Sequence, residues 1–341
     1  MKPAVAVALC FALAALPAWG DPDPRLLEKL RGVVVKVESV TDAGRVYAGS
    51  GVALAADTVA TACHTIEGGE IVRVLRSGDW YRVRALQRDS EHDVCLLKLD
   101  PVLPRWATFA QAPLRVGQAV LALGYSGGLR MRFSEGMITA LYAYEGERVI
   151  RSDARFNLGA SGGGLFDRDA NLVGLISFFL PNSPIHFAAP VAWIRRAAAL
   201  YPSAIQAGPQ GSPSPAEEWP AAYWQRPRAE LPWFLQISAL ERRRDWDRAV
   251  SVAEAWVANE PKEVEAHVAL AFALAHQEQD AAALMALDRA LEIDAEHAGA
   301  TQLRRRLVTP GADLEDEVRP IDRRTRRVIR PEDGWPVMRE H

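Results

Sequence analysis

The sequence predicts an all-β domain followed by a smaller all-α domain. From about residue 32 to residue 190, short runs of Val, Ile, Leu and Tyr alternate with turns of Gly, Asp and Ser. This pattern is typical of a sandwich or barrel built from many short strands. Between about residues 230 and 308 the apolar residues recur with helical spacing instead. A segment rich in Pro, Gly and Ser separates the two parts of the chain.

The length and the charge of the chain set the first limits on its class. With 341 residues, of which 49% are hydrophobic and 24% are charged, the chain has the composition of an ordinary globular protein, and its length favours two domains. The formal net charge of -3 gives no basis for a nucleic-acid partner.

The first 20 residues have the pattern of a secretory signal peptide. Lys2 supplies a positive charge, residues 3–18 are almost wholly apolar, and Ala18 and Gly20 stand at the two positions that a signal peptidase reads. A retained membrane anchor is the alternative, but the apolar run is short for a span across a bilayer. We therefore expect a signal peptide at 1–20 and an exported protein, periplasmic or secreted, with no stable membrane anchor after cleavage.

The β-rich part is predicted to end in a helix over 191–201, because apolar residues fall on one side of that helix and Arg195 and Arg196 on the other. The predicted strands before it are 33–40, 71–75, 81–86, 94–99, 119–123 and 172–179.

The C-terminal part divides into a linker, a helical region and a charged tail. Residues 204–229 are predicted to be a linker, since its Pro, Gly and Ser residues bury little apolar surface. Residues 309–341 are first acidic and then basic, which favours a disordered tail. In the helical region, 230–308, similar residues recur 34 positions apart, as at Leu240 and Leu274 and at Ala249 and Ala283. This period resembles the tetratricopeptide repeat and implies a surface for a protein partner; a generic helical bundle is the alternative.

Three motifs in the β-rich part carry the chemical signal. They are Gly49–Leu54 with Thr61–Ile66, then His92–Leu97, and then Asn157–Phe166. A serine hydroxyl is a weak nucleophile that needs an adjacent base, and an imidazole held by a carboxylate supplies one. The order His64, Asp93, Ser161 therefore predicts a nucleophilic triad.

These motifs, together with the intervening stretches 115–124, 134–141 and 187–190, resemble the HtrA (Deg) branch of trypsin-fold serine proteases. The resemblance covers about 45–192 and implies a trypsin-like double β-barrel, which we place at 21–203. It also implies an endopeptidase that acts on protein or peptide substrates and uses no cofactor and no metal. HtrA proteins usually carry PDZ domains after the protease domain, and this sequence shows none.

The resemblance also implies roles for residues around the triad. The backbone N–H groups of Gly159 and Ser161 would bind the developing oxyanion, and Ser177 would donate a hydrogen bond to Asp93. Three apolar residues match positions that line the specificity pocket, and they predict an apolar side chain before the cut: Phe156, Phe179 and Ile185.

Two residues depart from the family pattern. Ala160 stands where Asn or Asp usually precedes the nucleophile, and Leu158 stands where the family often has Pro. Neither change removes a catalytic atom. Both residues nevertheless belong to the loop that would form the oxyanion hole. A pseudoprotease that keeps the fold and binds peptides or acts as a scaffold is therefore the alternative to an active enzyme.

Cys63 and Cys95 flank two members of the predicted triad, so we expect them to lie close together. A disulfide and two buried free thiols both satisfy that expectation. A metal site with His64 and His92 is disfavoured, because neighbours along a strand point to opposite faces. His92 is expected at the surface beside Asp93. The later histidines are expected on helix surfaces: His267, His276 and His297.

Overall fold

The computed structural model describes residues 23–128, 130–180, 183, 185–199, 205–206 and 219–309. The predicted signal peptide, half of the predicted linker and the charged tail beyond Thr309 lie outside the described residues.

The first barrel follows a short helix, α1 (Pro24–Arg31), and contains six antiparallel strands. Their order is β5-β4-β1-β2-β3-β6, and pairing of β5 with β6 closes the barrel. The strands are β1 (Val34–Val40), β2 (Val46–Ala55), β3 (Thr58–Thr61), β4 (Ile71–Arg76), β5 (Asp79–Asp89) and β6 (Val94–Asp100).

The second barrel has the order β11-β8-β9-β10-β13-β12 and is closed by pairing of β11 with β12. At the edge of this sheet, β7 pairs in parallel with β12 through two residues of each strand. The strands are β7 (Thr108–Phe109), β8 (Ala119–Gly124), β9 (Arg132–Tyr144), β10 (Glu147–Ser152), β11 (Gly164–Phe166), β12 (Asn171–Phe179) and β13 (His186–Pro190). Helix α2 (Val191–Ala199) follows, and β14 (Ile205–Gln206) then pairs with β5 of the first barrel. The predicted double barrel is confirmed.

Five helices form the C-terminal region, and their starting points follow the period of the sequence. Helix α6 begins 34 residues after α4, and α7 begins 34 residues after α5. Successive helices pack against each other, and small side chains such as Ala249, Ala253, Ala283 and Ala290 are fully buried between them. The helices are α3 (Trp233–Arg243), α4 (Trp246–Asn259), α5 (Val264–His276), α6 (Asp280–Ile293) and α7 (Ala298–Val308).

The helical region shares an apolar core with the second barrel. Tyr142 on β9 stacks on Phe234 of α3, with ring centroids 4.6 Å apart and planes 7° from parallel. The backbone N–H of Leu141 donates to the buried Glu265 carboxylate over 2.8 Å, and Arg148 pairs with Glu263 at 2.7 Å. Because a buried polar group must find a partner, these contacts fix the helices on the barrel.

Two helical histidines are buried, so the expectation that they lie on helix surfaces is wrong. His297 is 4% exposed because its ring accepts a hydrogen bond from the Ala300 N–H and so caps the start of α7. His267 is 6% exposed, with Nε2 3.0 Å from the carbonyl oxygen of Pro261. Across the described ranges, no helix is both long enough and apolar enough to cross a membrane.

The shared core predicts that the barrels and the helices unfold together. Phe234 is 1% exposed, so Phe234→Ala should lower the free energy of unfolding by roughly 3–5 kcal/mol. Met285 is 75% exposed, and Met285→Ala is the matched control, with a change of about 0.5 kcal/mol or less. Urea unfolding, followed by circular dichroism and by tryptophan fluorescence, checks both values. Two separate transitions in the unmodified protein would contradict a shared core.

Candidate active site

Asp93 is the buried centre of the site. It precedes β6, has a positive φ of 58° and is 0% exposed. Its carboxylate accepts hydrogen bonds from the His64 backbone N–H at 3.0 Å, from His64 Nδ1 at 2.8 Å and from Ser177 Oγ at 2.5 Å. A charge in the protein interior is tolerated when it is paired and hydrogen-bonded in this way.

His64 lies on a short 3-10 turn, Cys63–Thr65, that follows β3. A disulfide joins Cys63 of this turn to Cys95 of β6, two residues after Asp93. The Cys63 N–H also donates to the Asp93 carbonyl over 3.3 Å. The disulfide and this hydrogen bond therefore hold the histidine turn against the loop that carries the aspartate.

The environment of His64 favours its protonated form. Burial of the imidazole opposes protonation, but the negative charge of Asp93 and the hydrogen bond from Nδ1 outweigh it, so the pKa of His64 is raised above 6.5. About 24% of the His64 side chain is exposed, so one side of the ring remains accessible.

The loop before Ser161 is a type II turn. The Ala160 N–H donates to the Asn157 carbonyl at 3.0 Å, and Gly159 has φ 90°, as the third residue of such a turn requires. A Cβ at Gly159 would lie 2.5 Å from the Tyr125 carbonyl oxygen, so the position requires glycine. Within the described residues, neither the Gly159 nor the Ser161 N–H donates a hydrogen bond.

Ser50 of the first barrel shapes this loop and has no role in the sequence analysis. Its hydroxyl donates to the Gly159 carbonyl and accepts from the Tyr125 N–H, both over 2.7 Å. Its backbone N–H donates to the Ser161 carbonyl at 2.8 Å. Ser50 stands between Gly49 and Gly51 in the first motif, and that position was the signal available in the sequence.

Ser177 links the nucleophile candidate to the carboxylate. Its hydroxyl donates to Asp93, and its backbone carbonyl accepts the Ser161 hydroxyl over 3.0 Å. In the described part of the chain no hydrogen bond joins Ser161 Oγ to His64. A hydrogen bond between Ser161 and His64 would therefore require rotation of the Ser161 hydroxyl away from Ser177.

The structure brings two of the three predicted pocket residues together. The rings of Phe156 and Phe179 meet edge to face with centroids 6.0 Å apart. Ile185 is instead buried in the core that contains Phe178 and Phe187. Neighbouring residues of an extended chain point to opposite sides, and His186 faces the aromatic pair, 4.5 Å from the Phe156 ring.

His92 is buried, so its expected surface position is also wrong. It is 4% exposed, with Nδ1 2.7 Å from Asp89 and Nε2 2.9 Å from Glu145. Its ring packs against Trp193 at 4.5 Å. The Asp89 and Glu145 carboxylates, the Arg196 guanidinium 2.6 Å from Nδ1 and the Trp193 ring surround this side chain, and it braces the loop that carries Asp93.

An aromatic residue from the predicted linker also reaches the site. The Trp224 indole meets the His64 ring edge to face, with centroids 5.3 Å apart, and stacks on Phe178 at 4.7 Å. The sequence patterns do not predict this contact of Trp224. The aromatic residues Trp219, Tyr223 and Trp224 after the Pro-rich segment were the available signal.

Residues 49–175 match the family described as the trypsin-like peptidase domain. The match runs from β2 to β12 and includes strands of both barrels, so the chain contains a trypsin-like peptidase domain.

Curated relatives of the chain carry the names of serine proteases. The chain is 31% identical over 157 residues to a probable periplasmic serine protease do/HhoA-like of Haemophilus influenzae, covering 42% of this chain and 34% of that protein. It is 30% identical over 158 residues to the periplasmic serine endoprotease DegP of Escherichia coli K12, covering 42% of this chain and 33% of DegP. The chain thus spans about a third of the length of these relatives.

One solved structure with a similar chain path is that of the Rv3671c protease from M. tuberculosis in its active form. The match covers 58% of this chain and 91% of that chain, with 22% identity and a TM-score of 0.49.

The raised pKa of His64 should depend on Asp93. Asp93→Asn removes the negative charge and leaves burial as the dominant influence, so the pKa of His64 should fall toward or below 6.5. An NMR titration of the assigned imidazole signal measures this change. Asp79→Asn removes an exposed carboxylate and is the control that should leave the titration in place. A pKa below 6.5 in the unmodified protein would contradict the electrostatic argument.

Proposed function

We propose that this protein is an exported serine endopeptidase with Ser161 as nucleophile, His64 as general base and acid, and Asp93 as the group that orients His64. One observation carries the proposal: buried Asp93 holds His64 through Nδ1 while the Gly159 and Ser161 N–H groups beside the nucleophile have no acceptor in the described residues. That combination supplies both a base and an oxyanion site.

The chemistry follows in two halves. Ser161 Oγ bonds to the carbonyl carbon of the substrate while its proton passes to His64 Nε2, and the oxyanion accepts hydrogen bonds from the Gly159 and Ser161 N–H groups. His64 then gives that proton to the leaving amine as the C–N bond breaks, which leaves an acyl-enzyme. Water repeats the sequence with His64 as base, releases the new carboxyl terminus and restores Ser161.

The contact between Phe156 and Phe179 indicates the class of substrate. This aromatic pair favours an apolar side chain immediately before the scissile bond. Arg155, which precedes the pair, is exposed and so adds no charge to the buried wall.

Export and partner binding complete the proposal. The predicted signal peptide, the disulfide and the periplasmic names of the relatives support an oxidising compartment outside the cytoplasm. The 34-residue recurrence of α4–α7 supports a tetratricopeptide-like region over 230–308 that binds a protein partner. The assignments 21–203 for the protease domain and 204–229 for the linker are part of this proposal, with the qualification that residues 222–224 pack on the barrels.

A pseudoprotease is the second candidate, and one observation favours it. The Ser161 hydroxyl donates to the Ser177 carbonyl instead of the imidazole, and Ala160 replaces the usual polar residue before it.

Covalent labelling separates the two candidates. A fluorophosphonate probe should label the mature protein at Ser161, and Ser161→Ala should abolish the labelling because the attacking oxygen is lost. Ser251 is an exposed serine on α4, and Ser251→Ala is the matched control that should label like the unmodified protein. Folded protein without Ser161-dependent labelling would reject the endopeptidase and support the pseudoprotease.

Ser177 should matter for turnover through Asp93. Ser177→Ala removes a hydrogen bond to a buried charge, which is worth roughly 1.5–3 kcal/mol, so kcat/KM for a peptide should fall by about 10- to 150-fold. The backbone carbonyl that accepts Ser161 is retained in this variant, which isolates the hydroxyl. Steady-state assays with one peptide check the value, and the exposed Ser251→Ala variant again serves as control. An unchanged kcat/KM would show that the hydroxyl does not help to hold the carboxylate.

A further inference from the structure

Trp224 lies directly beside the triad candidate His64, although it comes from a segment after both barrels. The planes of the Trp224 and His64 rings are 88° apart. The indole also stacks on the Phe178 ring, with the two planes 18° apart. Trp224 therefore fills the space between the imidazole and the strand that carries Ser177.

The indole is held in place by its neighbours. Tyr223 is 1% exposed and packs among Tyr144, Trp193 and Phe234, and its N–H donates to the Glu91 carbonyl over 2.9 Å. Arg226 forms an ion pair with Glu91. With anchors on both sides in sequence, Trp224 is part of a fixed wall and not of a mobile lid.

The path of a bound peptide follows from β12. Pairing of β12 with β13 is irregular between Ile176 and Phe179, so the backbone at Ser177 and Phe178 lies beside Ser161 without regular partners on β13. An extended peptide can add to such an unpaired stretch by backbone hydrogen bonds. Alternate side chains of that peptide point to opposite sides, as Phe178 and Phe179 do on the strand itself.

This alternation determines which wall each side chain of the bound peptide faces. The residue immediately before the scissile bond points toward Phe179 and Phe156, as the proposed function states. The second residue before the bond then points toward Phe178 and His64, where the Trp224 ring already lies.

We propose that Trp224 closes the subsite for the second residue before the scissile bond and restricts it to Gly or Ala. This inference rests on the proposed endopeptidase function for its subsite assignment. Trp224 Nε1 is buried and has no hydrogen-bond partner in the described part of the chain.

The test compares two peptides that share Phe before the scissile bond and differ in the preceding residue, Ala or Leu. The unmodified protein should prefer the Ala peptide by roughly 10- to 200-fold in kcat/KM, the range for steric discrimination by small side-chain differences. Trp224→Ala should raise the Leu-to-Ala ratio about tenfold or more, and Trp224→Phe, which keeps an aromatic packing partner, should give an intermediate ratio. The control is Trp219→Ala, since Trp219 belongs to the same segment but packs against the first barrel and Arg88.

A second measurement separates this inference from the endopeptidase proposal. Binding of the same peptides to Ser161→Ala protein, with and without Trp224→Ala, reports the subsite without turnover. A Leu-to-Ala binding ratio that Trp224→Ala raises supports the subsite even if fluorophosphonate labelling fails. Unchanged ratios in turnover and binding would overturn it. Equal acceleration of both peptides would also overturn it, because it would make Trp224 a general obstruction.

Discussion

The carboxylate of Asp93 is the constraint on which the rest of the site depends. It is fully buried, and its three hydrogen-bond donors come from the turn after β3 and from β12. The two barrels must therefore dock in one register, because any other arrangement leaves a charge in the interior without partners. The positive φ of Asp93 shows that the backbone itself adapts to this requirement. Docking of the barrels and orientation of His64 thus have the same physical cause.

The loop before Ser161 obeys a related constraint across the same barrel interface. Ser50 of the first barrel bonds to the Gly159 and Ser161 carbonyls from one side, and Gly162 donates to the Ile176 carbonyl at 2.7 Å from the other. These bonds fix the turn without any charge on the residue before Ser161. This explains how Ala160, which is 1% exposed, fits a loop where the resemblance predicts Asn or Asp. Hydrogen bonds to its backbone hold the loop in place. Its glycines allow neighbouring backbone to approach more closely than a Cβ would permit.

The sequence was sufficient for features that local patterns encode. Strand runs predicted an all-β sandwich or barrel, and the 34-residue period predicted the recurrence of the helices. The resemblance to the HtrA proteases predicted the double barrel and the contacts of His64 and Ser177 with Asp93. The sequence was insufficient where tertiary packing determines which residues meet. The choice between Ile185 and His186 at the aromatic pair depends on the register of one chain segment, and a shift of one residue reverses it. Trp224 was missed because its role depends on a long-range contact that the composition of a linker does not encode.

The helical region is best understood as part of the peptidase unit. A continuous row of aromatic contacts runs from Trp256 through Tyr142 and Phe234 to Tyr223, which adjoins Trp224 in the chain. Barrels without these helices would expose Tyr142 and lose the packing that holds Tyr223. A large apolar patch of that kind is unfavourable in water. The same burial that stabilises the helices on β9 therefore also sets the position of the indole beside His64.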